Sequence, residues 1–85
     1  MTIRPTVMVE PIKAGIAARA EEIGLAGHGR DVSRAVAAVQ FTIAIWARSL
    51  ASTGELELTL GRLGIEYSLD GKGIVIEPAV SGVTA

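Results

Sequence analysis

The sequence predicts an α+β fold in which an antiparallel sheet of four to five short strands packs on one long central helix, in the order ββαβββ. Two observations lead to this. Residues 31–52, DVSRAVAAVQFTIAIWARSLAS, form the one stretch long and apolar enough to be the spine of a small domain. The segments on either side instead alternate apolar and polar residues with a period of two, punctuated by Gly, Pro and Asp, which is the pattern of half-buried strands.

Composition limits what such a domain can be. At 85 residues it is a single unit, expected over residues 1–78 with a tail at 79–85, and a chain of this size buries only about 60 to 65% of its unfolded surface. Hydrophobic residues make up 49% but aromatics only 4%, so the core must be built from Ala, Val, Ile and Leu. There is no cysteine, which removes disulfides, thiol nucleophiles and cysteine metal sites. That suits a reducing compartment, and the expectation is a cytoplasmic protein.

Eight basic residues against nine acidic ones give a formal charge of −1, so the clustered cations needed for phosphate contacts are lacking and nucleic acid is not the expected partner. The N-terminal MTIRPTVMVEPIK has no basic region followed by an apolar run, so no signal peptide is expected. The apolar run at 35–47 is interrupted by Gln40 and Thr42 and is shorter than the roughly 20 residues of a membrane span. It reads as a buried helix, without a membrane partner.

Residues 3–12 carry Val7 and Val9 on one face and Thr6, Met8 and Glu10 on the other, between Pro5 and Pro11; this is a strand, expected at an edge because proline cannot donate to a ladder. A turn follows at Lys13, Ala14 and Gly15. Residues 15–23, GIAARAEEI, have helical propensity but only weak alternation, and helix competes here with a returning strand. Residues 24–30, GLAGHGR, hold three glycines in seven and read as a loop delivering the chain to Asp31, a favoured N-cap.

A step of about 100° per residue places Val32, Val36, Val39, Ile43, Trp46 and Leu50 in one stripe, the expected core face. Ser33, Arg34, Gln40, Arg48, Ser49 and Ser52 lie opposite, yet Phe41 and Ile45 interrupt them among Ala37, Ala38 and Ala44. The outer face is therefore half apolar. Thr53 and Gly54 supply a stop with a left-handed residue.

Beyond the helix, Leu56, Leu58 and Leu60 alternate with Glu55, Glu57 and Thr59; Ile65, Tyr67 and Leu69 alternate with Glu66 and Ser68; and Ile74 and Ile76 flank Val75. Three strands are expected, with turns at 61–64 (GRLG) and 70–73 (DGKG), the second a hairpin signal. Pro78 ends the last strand and AVSGVTA is expected to fray.

From Gly24 onward, the order of glycine-rich segment, capped Ala-rich helix, strand, DG turn and strand resembles the ribosomal-processing cysteine protease family, small bacterial and phage-associated enzymes that trim a ribosomal protein. Gly24, Ala26, Gly29 and Asp31 fall on positions of that family's Gly-rich loop, Val32 on an isoleucine at the helix entry, and Asp70-Gly71 on its later turn. In the same register Arg34 stands at the catalytic cysteine and Glu22 at the catalytic histidine. The resemblance implies a shared fold and homodimerisation with the protease chemistry lost, and makes a phage accessory or host-interaction role an expectation. It also tips residues 15–23 towards strand.

Few residues carry chemistry of their own. His28, the only histidine, stands near Asp31 and Ser33, and a hydrolase site using His28 and Ser33 at the helix N-terminus can be drawn. A histidine within GHG has no third group to orient its ring, however, and Asp31 is occupied as a cap. The segment carrying Gly24, Gly27, His28, Gly29 and Asp31 could instead cradle a phosphate, but its spacing fits neither a P-loop nor a dinucleotide fingerprint. One His with Glu21, Glu22 and Asp31 has no recognised metal-ligand spacing, so no metal or cofactor is expected. Arg19, Arg30, Arg34 and Arg48 read as solvated charges.

The non-catalytic alternative is favoured. A sheet of five short strands covers the Val/Ile/Trp stripe and leaves little chain for the opposite side of the helix, so Phe41, Ile45 and Ala38, with Arg34 and Arg48 beside them, are expected to meet a second copy or a protein partner.

Overall fold

The structure is a computed structural model that describes residues 1–71 and 73–82. It is an α+β fold built on a long central helix, with seven strands in two sheets among the described residues. The strands are β1 (Thr2–Arg4), β2 (Thr6–Ile12), β3 (Gly15–Ala20), β4 (Leu25–Gly29), β5 (Glu66–Ser68), β6 (Val75–Ile76) and β7 (Ala79–Gly82). The helices are α1 (Val32–Ser52) and α2 (Leu56–Leu63). One sheet has the order β5-β1-β6 and the other β4-β3-β2-β7.

Both sheets are mixed rather than antiparallel throughout: β1 pairs parallel with β6, and β2 parallel with β7. The two parallel pairs share one register, since Thr2 lies opposite Val75 and Thr6 opposite Ala79. The N–H groups of Val75, Glu77 and Ala79 donate in turn to the carbonyls of Met1, Ile3 and Pro5 at 2.9, 2.8 and 2.9 Å. One ladder thus crosses from sheet to sheet, and Pro5 and Pro78, which have no N–H to give, stand where it is interrupted.

This ladder overturns two expectations. Residues 3–12 form two strands split at Pro5, and both are interior, β1 between β5 and β6 and β2 between β3 and β7. The tail expected to fray contributes β7, paired with β2 over four residues; residues 83–85 lie outside the described residues. Nor does DGKG close a hairpin. β5 and β6 lie on opposite sides of β1, although Gly71 and Gly73 do adopt positive φ; residue 72 of that turn lies outside the described residues.

The segment at 15–23 is strand over Gly15–Ala20, pairing with β2 and β4. Beyond it the Glu22 carboxylate accepts the Thr6 N–H at 2.9 Å, in the place of a ladder bond from β3.

ELELTL is helical, not a strand. Leu56 and Leu60, four apart, are buried while Leu58 is 66% exposed, and this is the spacing of one helix face. Glu57 in the first turn and Arg62 in the last complement the helix dipole. The expected turn at 61–64 is the end of α2: Gly64 is left-handed and Ile65 N–H reaches back to Leu60.

α1 begins and ends as its residues dictate. The Asp31 carboxylate accepts the Arg34 N–H at 2.8 Å. At the other end Gly54 (φ 74°) donates to Ala51, and Glu55 to Leu50, the paired bonds of a Schellman cap. Ala35, Val39, Ile43 and Ala47 are fully buried on its inner face, with Val36, Trp46 and Leu50 partly buried beside them. The expected stripe thus has the right direction but is completed by alanines, and Val32, at the open N-terminal turn, is exposed. Gln40, assigned to the polar outer side, is half buried and donates to the Ile76 carbonyl, tying α1 to β6.

At 21 residues α1 is long and apolar enough, by length and composition alone, to cross a membrane, whereas the apolar run at 35–47 fell short of that length. Here its inner face is seated on β3 and β4.

Candidate interaction surface

The segment read as a loop, residues 24–30, is strand β4, and its glycines explain why. Alternation directs Leu25, Gly27 and Gly29 towards α1 and Ala26 and His28 to the other face of the sheet. A Cβ on Gly27 would stand 2.6 Å from the Val39 nitrogen and 2.8 Å from the Ala38 Cβ; one on Gly29 would stand 2.6 Å from the Arg34 Cβ and 2.7 Å from the Ala35 nitrogen. These glycines let helix and strand backbones touch. Gly24, at φ 81°, makes the turn from β3.

This placement takes the segment at the helix N-terminus apart. His28 pairs with Ala17 on the outer face of the sheet, with Ile12, Ala14, Ala17 and Ala26 around it in an open hollow of about 390 Å³. Asp31 caps α1 and also holds Arg34 at 2.9 Å, while Ser33 is exposed in the first helical turn. No hydrogen bond joins His28 to Asp31 or Ser33 among the described residues, so the pair drawn as a hydrolase site is not assembled. The loop read as a possible phosphate cradle is replaced by β4, and at the helix N-terminus the Asp31 carboxylate takes the Arg34 N–H.

Glu22, Glu66, Glu77 and Arg4 line a cleft of about 330 Å³ between the sheets. Two of its carboxylates have partners, Glu22 at Thr6 and Glu77 at Arg4 (3.6 Å). Among the described residues no group of three His, Asp or Glu is arranged to hold a metal ion. The arginines do not form one patch: Arg19 lies on the outer face of the sheet, paired with Glu10 at 3.2 Å and Glu21 at 3.8 Å, while Arg34 and Arg48 lie on α1.

The remaining predicted residues come together on α1. Phe41 is 67% and Ile45 52% exposed, one turn apart, on a helix whose opposite side is buried. Ala38 is half buried between them and β4, and Arg34 and Arg48 are exposed at the two ends of this strip. Beneath its flank runs β4, the terminal strand of its sheet. Sequence reasoning found the helix residues but missed the strand edge; the period-two spacing of Gly27 and Gly29 was the available signal.

No protein-family model, curated protein or solved structure matches this chain.

Proposed function

We propose that this chain is a non-catalytic interaction module that self-associates through the outer face of α1. The supporting observation is the exposure of Phe41 and Ile45, adjacent large apolar side chains on a helix already seated by its other face. Burying such a side chain stabilises an association by about 1.5–3 kcal/mol, so two from each copy provide a substantial driving force. The arginines at either end of the strip, Arg34 and Arg48, give the apolar patch a charged rim.

The test is the mass in solution of the wild type and of Phe41→Glu, by sedimentation. The expected result is a dimer for the wild type and a monomer with an unchanged far-UV spectrum for the variant. A monomeric wild type, or a natively folded Phe41→Glu protein of unchanged mass, would overturn the reading.

A further inference from the structure

We infer that the second copy docks along the free edge of β4, so that two four-stranded sheets join into one about a two-fold axis at Gly27. This rests on the self-association proposed above and gives it a geometry.

The backbone groups of β3 and β4 alternate in direction along each strand. Glu21 N–H donates to the Thr6 carbonyl at 3.1 Å, whereas the Ala20 carbonyl accepts from Gly24 at 2.9 Å. Residues 21, 19, 17 and 15 therefore direct their backbone groups towards β2, and 20, 18 and 16 towards β4, because successive residues of a strand face opposite neighbours. Across the β3–β4 register, Ala18 meets Gly27 and Ile16 meets Gly29, which directs the N–H and C=O groups of Gly27 and Gly29 inward. Those of Ala26 and His28 point out from the open edge.

An exposed edge is commonly blunted by charge, proline or a bulge. β4, LAGHG, has no charged residue and no proline, and its register with β3 runs without a bulge. Its outward groups are also self-complementary. Ala26 and His28 lie symmetrically about Gly27, so an antiparallel two-fold there sets Ala26 against the partner's His28, and His28 against the partner's Ala26. Each N–H meets a C=O, giving four backbone hydrogen bonds.

The helix supports the same axis. α1 runs antiparallel to β4, with Arg34 over Gly29 and Ala38 over Gly27, so Ala38 stands above the edge strand, and Ile45, two turns on and half exposed, shares its flank of the helix. The two-fold sets the α1 helices antiparallel, with Ala38 level with the partner's Ala38. At about 1.5 Å per residue, Arg48 then stands within roughly 5 Å, along the axis, of the partner's Asp31. Arg48 has no ion pair among the described residues, and the partner's Asp31, which already holds its own Arg34 at 2.9 Å, keeps its carboxylate half exposed, so Arg48 would extend that pair rather than meet a lone charge.

The register supplies its own test. The chain has no cysteine, and opposed residues of a hydrogen-bonded antiparallel pair have Cα atoms about 5.5 Å apart, within disulfide range. Ala26→Cys and His28→Cys are made separately and oxidised alone and mixed. A cross-linked dimer that forms in the mixture, at least tenfold above either variant alone, is expected. Equal cross-linking in all three samples, or none in the mixture, overturns the Gly27 axis. If the wild type is nevertheless dimeric by sedimentation, the self-association survives and only the β4 geometry falls; a partner strand from another protein is then the alternative occupant. Ala26→Pro is the second arm: it removes an N–H that β3 does not use, so the monomer folds, and the dimer dissociation constant is expected to rise at least tenfold. A folded Ala26→Pro protein with unchanged dimerisation overturns the proposal.

Discussion

The Cβ of Ala38 lies 2.8 Å from the point where a Cβ on Gly27 would stand, so the absence of a side chain at Gly27 sets the distance between α1 and β4. The same contact places Ala38 directly above the open edge of the sheet. Gly27→Ala must push the helix outward or bend the strand, and overpacking of this kind costs about 1–3 kcal/mol. Thermal unfolding should show a lower Tm for Gly27→Ala, and for Gly29→Ala by the same reasoning, while Gly61→Ala, which would meet nothing within 4 Å, should not be lower than wild type.

The two faces of α1 should respond to truncation in opposite ways. Ile43→Ala removes a fully buried side chain and is expected to cost about 2–5 kcal/mol by denaturant unfolding. Phe41→Ala, measured at a concentration where the protein is monomeric, should change stability by no more than about 0.5 kcal/mol, yet weaken self-association in sedimentation.

Leu58 and Leu60 separate helix from strand at residues 56–63. In a strand the two would share a face; in α2 only Leu60 is buried. Leu60→Ala should therefore cost about 2–5 kcal/mol and Leu58→Ala little, both read from urea midpoints.

Asp31→Ala removes the carboxylate that accepts the Arg34 N–H, and loss of such a cap costs about 1 kcal/mol. Asp31→Asn should recover most of it, because the amide oxygen still accepts.

Asp70 gives a pH dependence whose sign follows from the hydrogen bonds it accepts. Hydrogen bonds from the Thr2 hydroxyl (2.8 Å) and the Ser68 hydroxyl (3.1 Å) hold its carboxyl below the ordinary carboxylate value. A group lowered in the folded state adds stability above its unfolded value of ~3.9 and loses it as pH falls through the folded one. Asp70→Asn should thus have a lower Tm than the wild type at neutral pH, with the difference closing as the pH is taken below about 4.

Local chemistry was legible wherever a residue acts on its own neighbours. Asp31 caps α1, Gly54 ends it, and Phe41 and Ile45 stay exposed because helical periodicity put them opposite Val39 and Ile43. It misled where one pattern serves two structures. LELTL reads as a strand by its 56, 58, 60 spacing and as a helix by 56 and 60, and burial of Leu56 and Leu60 in the core, with Leu58 left exposed, decides between them. Glycine misled in the same way: Gly27 and Gly29 suggest a loop from conformational freedom, yet their function is to admit a helix backbone.

The fold class, the span of α1 and its two-sided character follow from propensity, capping and periodicity within a few turns, and so are readable from neighbouring residues alone. The pairing emerges only on folding: β1 and β2 beside β6 and β7 across some seventy residues, two mixed sheets in place of one antiparallel sheet, and β4 at the open edge beneath Ala38. Strand partners are chosen by long-range hydrogen bonds and by which surfaces can approach, and nothing in the spacing of neighbouring residues records that choice.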